Sequence, residues 1–185
     1  MVLFCKGDTR LLQEPCVSLV GSRLISPRNR RFAQRIGKLA AREGFVLVSG
    51  NACGADQAAQ DACLGAGGRV ISFVPDALRT HPPRENLLYI SDEGYDVPFS
   101  AERALRRNHY IHALSERTFV AQCGEKRGGT WSGTNDNLRR KLSQVYMLQD
   151  NSEGAIALNQ SGAVFVPENL SSIAELSPRQ LSIFD

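Results

Sequence analysis

Short apolar, β-branched runs recur along this chain, separated by stretches whose apolar residues follow helical spacing. The first run, residues 16–21, leads into a helix expected from Pro27 to Glu43. Ser26 can cap that helix, Pro27 suits its first position, and Phe32, Ile36, Leu39 and Ala40 form its apolar stripe. Gly44 is placed to end it in a left-handed cap. A second strand is expected at 45–49 and a second helix from Ala55 to Leu64, closed by Gly65, Gly67 and Gly68. Arg69–Val74 reads as a third strand, and 75–98 as irregular and proline-bearing with a short apolar piece at Leu87–Ile90. A helix over Ala101–Leu114, a strand over Thr118–Ala121 and a glycine-rich loop over Gly124–Gly133 follow. The pattern closes with a helix over Thr134–Leu142, a strand at Gln144–Leu148 and an edge strand at Ala163–Val166. Val2–Cys5 is a candidate edge strand at the other end. Strands alternating with helices predict an α/β fold: a Rossmann-like, doubly wound, mostly parallel sheet in a single domain. Residues 1–15 read as a lead-in, 16–167 as that domain and 168–185 as a tail.

In such a sheet ligands bind at the carboxyl ends of the strands. Two strand-to-helix turns there are built of small residues. Gly21-Ser22-Arg23 places a hydroxyl and a guanidinium at the end of the first strand, and an Arg fork grips phosphate through paired hydrogen bonds. Ser49-Gly50-Asn51, followed by Gly54 and Asp56, gives backbone access and an Asn that tolerates left-handed geometry. Asp56 falls in the first helical turn, where its charge complements the helix dipole; a ribose or base contact is its other reading. Both turns point to a phosphate-bearing ligand, a nucleotide or a nucleic-acid backbone.

Composition narrows the class without naming the ligand. A hydrophobic content of 42% in 185 residues fits a globular protein, and the net charge of +3 does not announce nucleic acid. The charges are clustered, however: Arg28, Arg30, Arg31, Arg35 and Lys38 in one segment, Arg103, Arg106 and Arg107 in a second, Arg139, Arg140 and Lys141 in a third. Arg103, Arg106 and Arg107 share one side of their helix and repel one another, a cost that an anion would relieve. Asn108 follows them. Arg127-Gly128-Gly129-Thr130-Trp131 offers hydroxyl and backbone donors, with Trp131 as a platform for a base. Five cysteines without a CxxC pair argue against a disulfide framework or zinc site, and the three histidines show no ligand spacing, so no metal and no cofactor is assigned. No apolar run approaches about 18 residues and no signal peptide is evident, so a cytoplasmic protein without membrane association is expected.

The strings VSLVGSR and LVSGNACGADQAAQDACLGAGGRVISFVP, then FSAERALRRNHYIHALS and a glycine-rich loop, resemble the DNA-processing family DprA, also called Smf, over residues 16–148. The resemblance implies a Rossmann-like protein that binds single-stranded DNA, often as a homodimer, and helps load the recombinase RecA. Gly21, Ser22 and Arg23 match that family's GSR turn; Ser49, Gly50, Gly54 and Asp56 match its SGxAxGxD turn; Arg107 and Asn108 match its Arg-Asn segment. Gly129 matches the glycine of its Lys-Ser-Gly loop, with Arg127 where the lysine stands. Cys53 replaces the Arg usual in the second turn, and Phe99 lies eight residues from Arg107, a stretched FPxRN spacing. The chain is also similar to LOG-type phosphoribohydrolases, but Asn137 occupies the position of their PGGxGTxxE glutamate, leaving Asp136 or Glu102 as substitutes. Gln180, Leu181, Ser182, Ile183 and Phe184 resemble the peptide by which bacterial proteins bind the sliding clamp. The expected function is single-stranded DNA binding in DNA processing or recombination, without catalysis; the alternative is a LOG-type nucleotide-binding protein or nucleoside-monophosphate phosphoribohydrolase.

Overall fold

The computed structural model describes residues 2–124 and 126–177. Among them the strands are β1 (Phe4–Lys6), β2 (Cys16–Val20), β3 (Val46–Ser49), β4 (Arg69–Phe73), β5 (Leu87–Ser91), β6 (Arg117–Val120), β7 (Gln144–Leu148) and β8 (Val164–Val166). The helices are α1 (Pro27–Glu43), α2 (Ala55–Gly65), α3 (Ala101–Ala113), α4 (Gly128–Arg140) and α5 (Glu153–Gln160). One sheet runs in the order β1-β5-β4-β3-β2-β6-β7-β8, parallel throughout except for β1, which pairs antiparallel with β5. The chain winds outward from β2 to β5, then returns to lay β6 beside β2. That reversal is the switch point of a doubly wound fold. No described helix is long and apolar enough to cross a membrane.

The apolar patterning sorts the side chains to two faces. Val17, Leu19, Leu47 and Phe119 pack with α1, α2 and residues Leu170 and Ile173 on one face. Val20, Val48, Ile71, Val120 and Met147 pack with Ile111 of α3 and Ala155 and Leu158 of α5 on the other. α1 has the expected limits: the Ser26 hydroxyl accepts from Asn29 N at 3.2 Å and Gly44 closes it at φ 81°. Gly37 brings α1 against α2, because a Cβ there would overlap the carbonyl of Ala59.

Three elements differ from the sequence pattern. Leu87–Ser91 is a full strand, buried at every position, inside the stretch read as irregular. A five-residue run with both faces covered carries no alternation to reveal it. The glycine-rich segment is helix from Gly128 onward rather than loop to Gly133, since Gly129 and Gly133 are the contact between α3 and α4. A Cβ on Gly133 would lie 3.0 Å from the Asn108 Cβ, so tertiary packing overrides the helix-breaking propensity. The eight-residue α5 is an element that the sequence pattern does not predict.

The segment 167–177 packs along α1 rather than projecting from it. Glu168 pairs with Arg28 and Arg31 at 3.0 Å each, Arg35 and Arg42 donate to carbonyls of Leu170 and Ser171, and Glu43 accepts from the amides of Ile173 and Ala174 at 2.9 and 2.8 Å. The basic cluster on α1 thus holds this segment in place.

Candidate functional site

β2 and β6 are neighbours whose following helices leave to opposite faces, α1 to one and α4 to the other. The crevice this opens at the strands' carboxyl ends is a cleft of about 600 Å³, of a size with small-ligand sites. Its walls are the β2–α1 turn, Ala52 and Asp56 after β3, one side of α3, and the start of α4.

The two glycine turns are locked to each other. Ser22 donates its amide to the carbonyl of Gln122 at 2.9 Å, and the Ala55 amide donates to the carbonyl of Ser22 at 3.2 Å. Gly54 has φ +90°, and a Cβ on it would overlap the carbonyls of Ser22 and Arg23. Asn51 takes the left-handed conformation expected of it, φ 58°. Gly50 has a different task from backbone access, because a Cβ there would overlap the Arg107 guanidinium. Ser49 is buried beneath the turn, its hydroxyl donating to the carbonyl of Leu19 at 2.8 Å.

Arg107 and Asp56 form the floor of the cleft. Arg107 is 6% exposed and Asp56 5%; they sit 4.0 Å apart, and Arg107 also donates to the carbonyl of Phe73 at 3.1 Å. Burial pushes the Asp56 carboxyl up to about 6, against the pull of Arg107 and the amides of Ala52, Gly50 and Gly21. Burial likewise holds Arg107 below its ordinary value; Asp56 opposes this, while the positive charge of Arg23 adds to it. Two buried atoms of the pair, Asp56 Oδ1 and Arg107 Nε, have no hydrogen-bond partner within the protein.

Arg103 lies outside the cleft. Its guanidinium is buried and donates to the carbonyls of Val97 and Pro98 at 2.9 and 2.7 Å and to the Ser91 hydroxyl at 2.6 Å, clamping α3 onto the β5–α3 connection. Arg106 pairs with Asp92 and Glu93. The repulsion expected among these arginines is offset by two carboxylates that precede the helix by about ten residues and share no helical register with it.

Arg127 is the N-cap of α4, without a side-chain hydrogen bond to the helix, and no acidic residue stands in the first turn. Arg127, Gly128, Gly129 and Thr130 line the cleft, so the start of α4, whose leading amides have no partner within the helix, borders it. Asn108 buttresses this end, donating to the Gly129 carbonyl at 3.0 Å. Trp131 is turned away into a neighbouring hollow with His109, Tyr110 and Asp136, and packs on the core. Glu102 and Asp136 line that hollow and not the cleft.

Phe99, Leu105 and His112 are among the cleft residues that the sequence pattern does not assign to the site. Phe99 and Leu105 form an apolar rim, 54% and 52% exposed. Leu105 is an exposed apolar residue beside Arg106 on a helix rich in charge, which is its one signal in the sequence. His112 lines the inner wall and is buried, its Nδ1 near Asn137 Nδ2 at 3.1 Å and Thr118 Oγ1 at 3.3 Å. Burial lowers its pKa to about 4, with His109 adding to the effect, so it is neutral at pH 7. The described residues hold no cluster of His, Cys, Asp and Glu fit for a metal. The clamp-like peptide, Gln180–Phe184, lies outside the described residues.

The chain is 31% identical over 138 residues to the DNA processing protein DprA of Bacillus subtilis, covering 69% of this chain and 46% of that protein. It thus spans about half the length of that relative. The structure of DprA from Streptococcus pneumoniae superposes with a TM-score of 0.79 at 28% identity, over 89% of this chain and 62% of the other. DNA processing protein A from Helicobacter pylori, described for its single-stranded DNA binding mode, superposes at 0.78 with 26% identity, over 88% and 80%. A family model for DNA recombination-mediator protein A matches residues 1–177, and this chain belongs to that family.

Proposed function

We propose that this chain binds single-stranded DNA in the switch-point cleft and acts in DNA processing or recombination in the cytoplasm without catalysing a reaction. The observation that carries the reading is the cleft's composition: Arg23, Arg107, Arg127 and the uncapped start of α4 meet an apolar rim of Phe99 and Leu105. Guanidiniums and helix amides suit phosphate, and an aromatic rim suits an unstacked base. The Helicobacter pylori relative, described for its single-stranded DNA binding mode, supports the choice of ligand.

Catalysis of the glycosidase type needs a carboxylate at the ligand. Asn137, at the position of the LOG glutamate, is instead buried and bonded to Ser143 and His112. Asp56 lies on the cleft floor with Oδ2 against the Arg107 guanidinium, which offsets its charge. RecA, a second copy of this chain and the sliding clamp are the proposed partners, the last through Gln180–Phe184. Fluorescent oligo-dT titrated across a salt series tests the strand reading: affinity should fall linearly on a log–log plot as counterions are released. Absence of binding at low salt contradicts it. Deleting residues 180–184 should abolish clamp association and spare DNA binding; a deletion that still binds the clamp removes that partner from the tail.

A further inference from the structure

The donor set of the cleft exceeds what a strand's interior phosphates can use. Arg23 and Arg127 flank the start of α4, whose leading amides have neither a side-chain cap nor an acidic neighbour in the first turn. Beneath them the buried Arg107 keeps its Nε unpartnered. Among the described lining residues three guanidiniums stand against one carboxylate, Asp56, with Asp76 also acting on Arg107, so positive charge is in excess there in addition to the partial charge of the helix end. A phosphodiester brings a single negative charge and two free oxygens. A phosphomonoester brings about 1.5 to 2 charges near neutral pH and three acceptor oxygens. Two further features fit a chain end. Phe99 and Leu105 at the rim can cover one base, and the unpartnered Asp56 Oδ1 can accept from a base N–H or a sugar O–H.

We propose that the cleft recognises the terminal phosphomonoester of a single strand, so that the protein engages phosphorylated DNA ends in preference to strand interiors. This deepens the strand-binding reading and rests on it. Arg23, Arg127 and the amides of Gly128 and Gly129 hold the terminal phosphate, while Phe99 covers the last base. Interior nucleotides then add the weaker, sequence-independent part of the affinity.

The test is a competition series on the full chain with one oligo-dT sequence in five forms: 5′-phosphorylated, 3′-phosphorylated, hydroxyl at both ends, circularised, and free thymidine 5′-monophosphate. One phosphorylated end should bind about tenfold tighter than the hydroxyl-ended strand, and that form identifies which terminus is read. The circle should match the hydroxyl-ended strand, and the monophosphate should compete weakly. Equal affinity for all four strands overturns end recognition and leaves strand binding standing; failure of every strand to bind overturns both. Arg127→Gln should erase the preference for the phosphorylated end, leaving the phosphorylated, hydroxyl-ended and circular strands with equal affinity. Persistence of the preference in both Arg127→Gln and Arg23→Gln would remove it from this cleft.

Discussion

The basic face of α1 and the floor of the cleft are both arginine-rich, yet they behave as opposites. On α1, Arg28 and Arg31 share Glu168, Arg35 and Arg42 donate to carbonyls of the segment 167–177, and Glu43 accepts three hydrogen bonds from it. In the cleft, Asp56 is the one carboxylate among the described lining residues beside Arg23, Arg107 and Arg127, and two buried polar atoms are left without partners. The density of positive charge along a sequence therefore does not locate a binding site. The proposed site is marked instead by unspent hydrogen-bonding capacity inside a cleft, because a buried donor without an acceptor is costly until a ligand supplies one.

Substitutions that break one region and spare the other sharpen this contrast. The largest effect is expected at Arg107: Arg107→Ala leaves Asp56 buried and unpaired and should lower stability by about 3–5 kcal/mol, read from urea unfolding. Adding Asp56→Asn should recover much of that loss, whereas two additive losses would show that the residues are not coupled. Arg23→Ala should leave unfolding unchanged and weaken oligo-dT binding by about 1.5–3 kcal/mol, the value of a charge-assisted hydrogen bond. Phe99→Ala should cost about 1–3 kcal/mol in binding if a base stacks there; unchanged binding removes it from the interface. Glu43→Ala should do the reverse of Arg23→Ala, lowering stability by about 1–2 kcal/mol through the unsatisfied amides of residues 173 and 174 and leaving DNA affinity as it was.

The two regions also differ in the sign of their pH dependence. Burial raises Asp56 from 3.8 to about 6, so the folded state holds a proton that the unfolded chain has lost. Its contribution to stability is largest below about 4 and is lost as pH rises through about 6. For Glu43, burial pushes the carboxyl up, but hydrogen bonds from Ala174, Arg42, Ile173 and Ser172 outweigh it and hold the group below its ordinary value. That contribution is present above the ordinary carboxylate range and lost on acidification. Asp56→Asn should abolish the fall in stability between about pH 4 and 6 seen by thermal unfolding, and Glu43→Gln should blunt the acid-side loss.

Much of this architecture was legible because it is local. Ser26, Pro27 and Gly44 bound α1 through chemistry confined to neighbouring residues, and the β2 and β3 runs end at turns whose residues advertise them. What stayed hidden depends on residues distant in sequence. Arg103 reads as a free cation until Ser91, Val97 and Pro98 are folded against it. Gly50 reads as a phosphate turn until Arg107 is seen in the space a Cβ would fill. Gly129 and Gly133 read as loop because no sequence window contains the α3 surface they pack upon. Trp131, the one tryptophan, drew attention that Phe99 and Leu105 take over once the cleft is formed.

The most direct test of the cleft as a DNA site is oligo-dT binding by the wild-type chain and Arg23→Ala, measured side by side across a salt series. Binding by the wild type should be tight and salt-sensitive. In the variant, affinity should drop tenfold or more and the slope of log K against log salt should shrink by about 0.7, one phosphate contact on a single strand. Equal affinity and equal slope for the two proteins would contradict it.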